Sequence, residues 1–420
     1  MEVYDVTVIG GGTAGLCAAI QAARAGAKTA LIEKNGLCGG TITCGAINYP
    51  GLFDAWGKQI IAGIGWELVL KTLKETGHSL PEFFLDPGLN HKHWQHQVRI
   101  NSLIFAALAE EALLAAGVTI QYHVMPASMN HATTGWSMGL CGKDGLSQWQ
   151  SRIVIDCTGD ANAVTIAGYE TASPGATQPG SLSVFADHYD LAKLDLELIG
   201  QNFAAAAARG EVKFTDVGWG KCFNVGFLLN HGGNCNHIVG MHAADSGGKT
   251  KLEIAARQSI LRLYRFLKTQ PGLEQIEFQG IAFECGVRES RTIVGEKRIT
   301  VEDYSAGRRY DDAVCNAFYP IDLHDGDEGL VQCKLKPGIV PTVPLGALIP
   351  RHSHDFLVAG RILSSDRLAN SALRVQAVCM ATGQAAGAAA ALAAKDHIQP
   401  GQIPFMELRR LLEKHGAIVP

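Results

Sequence analysis

The chain has 420 residues, 47% of them hydrophobic and 18% charged, with a formal net charge of −4. That length suffices for two or three domains, and the composition is that of a globular protein rather than a disordered or fibrous one. The weak net charge and the lack of a long basic run argue against nucleic acid or an anionic membrane as a partner. Eleven cysteines without a C-x-x-C pair argue against a zinc site, an iron–sulfur cluster or a dithiol centre of that spacing, so no metal is expected. Scattered thiols of this kind fit a cytoplasmic setting, and the start Met1-Glu2-Val3-Tyr4-Asp5 has no basic segment of a signal peptide.

Val6-Thr7-Val8-Ile9 reads as an apolar strand that enters Gly10-Gly11-Gly12-Thr13-Ala14-Gly15, and Leu16 to Ala25 reads as a helix. Gly10, Gly12 and Gly15 fit G-x-G-x-x-G: a tight turn, close approach of a pyrophosphate, and close packing of helix on strand. The helix start offers unpaired N–H groups and a partial positive charge to that pyrophosphate. A second strand, Lys28 to Ile32, ends in Glu33, where a carboxylate can accept hydrogen bonds from an adenosine ribose. Glycine triplets also serve plain packing, but strand, turn, helix, strand and acid in this order predict a dinucleotide site.

Gly36-Leu37-Cys38-Gly39-Gly40-Thr41 is too glycine-rich for regular structure, and residues 46–98 mix short helical runs with aromatics and histidines, show no clear period and read as a loop or lid region. Asn101 to Ala116 is a predicted helix, Val118 to Tyr122 a strand, and 136–151 a hairpin region. Arg152 to Cys157 is an apolar strand ending in Thr158-Gly159-Asp160, which is either a cofactor contact or an ordinary polar turn. From 165 to 345 the β-α-β rhythm stops, and turn-rich strands surround one long helix, Lys251 to Lys268. The rhythm returns with strand 355–359, then Gly360-Arg361 and a helix from Leu373 to Lys395. Within it Ala377 to Ala394 carries no charge, nearly the length of a membrane span, but its alanine and glycine content predicts a buried helix against a sheet. Its Gly383 and Gly387 serve close packing, approach to a cofactor, or both.

The expected fold is therefore α/β: a discontinuous, doubly wound, Rossmann-like domain from residues 1–164 and 346–420, with an inserted α+β, strand-rich substrate domain at 165–345.

Val8 to Gly15, Glu33-Lys34, Gly39-Gly40-Thr41, Cys157 to Asp160 and the Gly360-Arg361…Gly383-Gln384-Ala385-Ala386-Gly387 end together resemble FAD enzymes of the glutathione-reductase fold type. Gly286-Val287-Arg288-Glu289-Ser290-Arg291-Thr292-Ile293-Val294-Gly295 and Val358 to Ser364 further resemble a bacterial family named FAD-dependent oxidoreductases. The resemblance implies one FAD and a hydride-transfer role, without naming a substrate. It implies cofactor contacts at Gly10, Gly12, Thr13, Ala14, Gly15, Glu33, Lys34, Gly39, Gly40, Thr41, Val124, Thr158, Gly159, Asp160, Gly360, Arg361, Gly383, Gln384 and Ala385. The glutathione-reductase branch carries a redox disulfide near its Gly-Gly-Thr; here Cys38 and Cys44 flank it with one residue too many between them. No second glycine fingerprint marks a nicotinamide domain.

For the chemistry, Arg288 and Arg291 are candidates to orient a carboxylate or carbonyl, or else to pair with Glu289 or Glu296. His237 and His242 are candidate bases, Arg374 a second anchor, and Tyr310 and Tyr319 candidate proton donors. His91-Lys92-His93-Trp94-Gln95-His96 has the density of a metal site without its carboxylates, and reads as a solvated loop over the site. The expectation is an FAD-dependent oxidoreductase acting on a small polar molecule, with room for an external electron donor or acceptor. The alternatives are a thiol/disulfide reductase using Cys38 and Cys44, and a flavoprotein whose FAD is structural.

Overall fold

The computed structural model describes residues 2–86, 93–234, 236–325 and 329–420. The apolar N-terminal run forms β1 (Val3–Ile9), and the glycine turn leads into α1 (Thr13–Arg24) and then β2 (Thr29–Glu33), both strands largely buried. After α2 (Ile64–Thr76) and α3 (Ser102–Ala115) come β3 (Thr119–Tyr122) and a meander, β4 (Met125–Ala132), β5 (Gly135–Gly142) and β6 (Gly145–Asp156). The middle of the chain forms β7 (Val184–Asp187), α4 (Leu196–Ala208), α5 (Ser246–Leu267), β8 (Glu277–Ile281) and the hairpin β9 (Ile321–Asp325) and β10 (Gly329–Cys333). The last part gives β11 (Phe356–Val358), α6 (Arg367–Leu373) and α7 (Gln376–Asp396).

The main sheet is parallel in the order β3-β2-β1-β6-β11, with β5 and β4 continuing antiparallel from the first half of β6. The fold is thus Rossmann-like α/β, and both ends of the chain feed one sheet. Ile9 pairs with Ile32 and with Asp156, so β1, β2 and β6 end level. The Gly10 turn, Glu33 and Thr158-Gly159 therefore open on one crevice at the carboxyl edge, where α/β sheets bind ligands.

Helix α7 lies in the core, its backbone directly on that of α1. A Cβ on Gly383 would sit 2.1 Å from Ala14 O, and one on Gly387 2.2 Å from Ala18 O. Among the described residues α7 alone is long and apolar enough to cross a membrane, and 89% of its most apolar window is buried in the protein. The predicted helix Leu373–Lys395 is two helices, because Val375 adopts an extended conformation between α6 and α7. The expected lid at 46–98 is corrected in part. Ile64, Trp66, Leu68, Val69 and Leu73 of α2 are buried in the main core, because their spacing gives the helix one continuous apolar face.

Residues 184–276 supply a second apolar core, built on Val184, Phe203, Phe227, Leu263 and Ile276, whereas Ile299, Tyr304, Val314 and Leu345 pack in the main one. The α1–α7 contact gives a test in which one chemical change has opposite signs. Gly387→Ala should destabilise the protein by about 1–3 kcal/mol, since Ala18 O occupies the space of the added methyl. Gly200→Ala, in α4 with nothing within 4 Å of the new Cβ, should stabilise it by about 0.5–1 kcal/mol. Denaturant unfolding of both variants checks the pair.

Candidate functional site

The crevice is built from three loops tied together by backbone. Gly10 has φ +99°, and a Cβ there would strike Cys157 O at 2.6 Å, so only glycine lets the first turn pass under the end of β6. Gly39 N donates to Gly11 O at 2.8 Å, which lays Gly39-Gly40-Thr41 across the turn. A Cβ on Gly12 would meet nothing nearer than Gly40 Cα at 4.0 Å, so the space over Gly12 is open. No side chain caps α1 at Gly12, so its first-turn N–H groups face that space without a side-chain acceptor. The Glu33 carboxylate is buried beneath, accepting from Gly11 N at 2.6 Å and Asn35 N at 2.8 Å, and burial pushes its pKa up.

Beside the crevice lies a buried polar cluster drawn from five segments. Arg288, in the loop bridged to Ser181, donates Nη1 to Pro179 O and to Ser181 Oγ, both at 2.7 Å. It has no carboxylate partner among the described residues, and burial, then the neighbouring Arg374 cation, lowers its pKa to about 9. Strand alternation puts Asp322 and His324 on one face of β9. Their side chains meet at 3.2 Å, Nε2 to Oδ2. Arg374, at the end of α6, lies 3.6 Å from the same carboxylate and donates to Gln178 Oε1 at 3.3 Å. The His237 ring packs 4.9 Å from that of His324 and 5.4 Å from that of Trp219.

The electrostatics set the protonation states. Burial, reinforced by Arg288, lowers His237 to about 2, and burial lowers His324 to about 4 against the pull of Asp322. Burial would raise Asp322, but the His324 hydrogen bond and the Arg374 cation hold it at about 2. A carboxylate only accepts, so neutral His324 carries its proton on Nε2 and turns a bare lone pair on Nδ1 elsewhere. Nδ1 of His324 has no partner, nor do His237 Nε2, Gln178 Nε2, Arg374 Nε and Gln376 Oε1, all buried.

This cluster adjoins the crevice directly. Ser290 Oγ donates to Gly159 O at 3.2 Å, and Arg361 bridges Gly159 O at 2.5 Å to Val287 O at 2.9 Å. Gln376 Nε2 donates to Ile47 O at 2.9 Å, which ties the start of α7 to the glycine loop.

Gly10, Gly12, Thr13, Ala14, Gly15, Glu33, Gly39, Gly40, Thr41, Thr158, Gly159 and Gly360 gather at the crevice, and His237, Arg288, Arg374 and Tyr319 gather in the cluster. Most of the other predicted positions have partners within the protein. Gln384 is buried with Oε1 accepting from Ile64 N and Nε2 donating to Gln21 Oε1 and His415 O, so its polar atoms clamp helices. Gly383 and Ala385 lie in the same packed stretch of α7. Arg361 and Asp160 hold each other at 2.7 Å, Lys34 pairs with Glu284 at 2.8 Å, and Val124 N donates to Glu33 O. Arg291 reaches Thr165 Oγ1 instead of the cluster, and His242 is exposed. Tyr310 bonds Asp303, away from the cluster. His91 and Lys92 lie outside the described residues. His93 packs on the Tyr319 ring at 5.1 Å and His96 bonds Asp54, so this part of the expected solvated loop is anchored.

Asp322, His324, Gln178 and Trp219 went unnominated from sequence, although Asp322-Leu323-His324 carries the strand alternation that faces both groups one way. Cys38 and Cys44 are both free and buried with different neighbours, Tyr122 OH for one and Asn35 for the other. Burial pushes the Cys38 thiol to about 12 and raises Cys44, which disfavours the thiolates that disulfide exchange needs.

The chain is similar to several known proteins. A 53-residue stretch is 51% identical to dihydrolipoyl dehydrogenase of Trypanosoma brucei brucei, spanning 12% of this chain and only 11% of that protein. Over 225 residues the chain is 26% identical to thiamine thiazole synthase of Metallosphaera sedula, spanning 50% of this chain and 76% of that protein. A solved geranylgeranyl bacteriochlorophyll reductase-like protein from Thermoplasma acidophilum is similar with a TM-score of 0.46 at 14% identity, over 99% of this chain and 84% of that one. The family described as FAD dependent oxidoreductase matches residues 5–412, nearly the whole chain, and this protein belongs to it.

Proposed function

We propose that the protein transfers hydride between FAD and a carbon of a small polar organic molecule seated against Gln178, His237, His324, Arg374 and Gln376. The observation that carries this reading is that these residues contribute five buried polar atoms without a partner. Buried polar atoms are costly unless something bonds them, and a bound molecule does so.

The crevice residues fit the cofactor. The open space over Gly12 and the uncapped start of α1 suit a pyrophosphate, and Gly39, Gly40 and Thr41 close over it. Glu33 keeps lone pairs free for ribose hydroxyls beyond the two backbone bonds it accepts. The order of the parallel strands and the acid closing β2 support placement with the glutathione-reductase fold type. Bound FAD supplies a two-electron redox centre.

The chain's own residues supply the rest. Arg288 and Arg374 hold negative charge on the substrate, and Asp322 fixes His324 in the tautomer whose Nδ1 takes a proton. Trp219, Tyr319 and His93 pack their rings beside the site.

Anaerobic addition of pooled organic substrates should bleach the flavin of the wild type. Arg288→Ala should slow that bleaching at least about tenfold while retaining FAD. Bleaching by nicotinamides alone, or by no organic compound, would contradict the reading. Gly12→Val should leave the circular-dichroism spectrum native and lower the flavin content of the purified protein, because the side chain fills the open space. Since His324 is unprotonated at neutral pH, flavin reduction should be level from about pH 8 to pH 5 and fall toward pH 4 as Nδ1 gains a proton. His324→Gln should slow the reaction and remove that acid limb, as read by stopped-flow absorbance.

A further inference from the structure

The reading above leaves the substrate as a small polar molecule, and the charges of the site narrow it. Arg288 is buried, and among the described residues it donates to neutral oxygens, Pro179 O and Ser181 Oγ. The other buried cation, Arg374, shares Asp322 with His324 and with Gln332 Nε2. His237 and His324 are neutral, and Glu289 is taken by Arg367 and by Gln178 N. Two guanidinium groups against one carboxylate leave the cluster with a net charge of about +1 in a place where an uncompensated charge is expensive.

The unpartnered atoms add a pattern to that charge. Gln178 Nε2 and Arg374 Nε are donors, while His324 Nδ1 and Gln376 Oε1 are acceptors. Donors beside a free cation suit a carboxylate, which accepts several hydrogen bonds and brings the missing negative charge. Acceptors beside a bare imidazole lone pair suit a hydroxyl that must lose its proton. An ammonium group in that place would add a second uncompensated cation, and Asp322 is already engaged by three partners.

Resting on the proposed hydride-transfer reading, we infer that the substrate is a small 2-hydroxycarboxylate, its carboxylate held by Arg288 with Arg374 and Gln178, and its hydroxyl facing Nδ1 of His324. In the forward step the C2–H bond would break with its electron pair leaving as hydride, for which FAD, held at the glycine turn, would be the two-electron acceptor. The O–H proton passes to His324 Nδ1, and the C2–O bond becomes a carbonyl. The substrate would lose two electrons and two hydrogens, one as hydride to the FAD and one as the proton on His324 Nδ1, and leave as a 2-oxocarboxylate.

The experiment uses the FAD-loaded protein under anaerobic conditions with glycolate, lactate, malate and mandelate, alongside their amides and the matching 2-amino acids. At least one 2-hydroxy acid should bleach the flavin, its amide and amino counterparts should not, and oxalate should compete with it and perturb the flavin spectrum where oxamide does neither. Arg288→Gln should raise the half-saturating acid concentration about 10–100-fold, the effect of losing a charge-assisted pair of hydrogen bonds. If that variant does not retain FAD, the oxalate and oxamide comparison in the wild type decides alone. Bleaching by the amides or amino acids in preference to the acids overturns this inference and leaves hydride transfer standing. Failure of every organic compound, with dithionite still bleaching the flavin, overturns both.

Discussion

The backbone-to-backbone contact of α7 on α1 is the constraint on which the rest of the site depends. Gly383 and Gly387 let α7 lie where any side chain would collide with Ala14 O and Ala18 O. That contact locks the C-terminal segment under the helix whose N-terminus opens on the crevice. It thereby fixes the Arg374–Gln376 junction beside the Gly39–Ile47 loop, although more than 300 residues separate the two in the chain. Gln384 reinforces the same contact by joining α2, α1 and the segment at His415.

Arg361 makes the second junction. By bonding Gly159 O, Asp160 and Val287 O at once, it fastens the loop carrying Arg288 to the end of β6. The polar cluster is therefore held at the crevice by part-buried bonds from Arg361 to two backbone carbonyls and to the Asp160 carboxylate. Its neutral histidines follow from burial, because a dry site penalises a charge that lacks a partner and favours the imidazole over the imidazolium.

Local signals told most about the crevice. The strand, glycine turn and acid from Val6 to Glu33 were legible because a pyrophosphate and a tight turn each demand glycine at set positions, and a parallel strand demands an apolar run. The end of β6 at Thr158-Gly159 and the buried nature of α7 were legible on the same grounds. The cluster was legible only at His237, Arg288, Arg374 and Tyr319, since its members come from segments scattered between Gln178 and Gln376 and only long-range packing brings them together. His242 and Arg291 show the limit from the other side: each stands within a few residues of a cluster member, yet the backbone turns it outward. Gln384 looked like a cofactor residue because it sits among glycines, but those glycines mark where two helices touch.

A crystal structure of the FAD-loaded protein tests the central claim most directly, namely that the flavin's reactive face meets the buried polar cluster. The account predicts the isoalloxazine ring against Gln178, His237, His324, Arg374 and Gln376, with the pyrophosphate over Gly12. A ring turned away from those residues, toward solvent or toward Cys38 and Cys44, would contradict it.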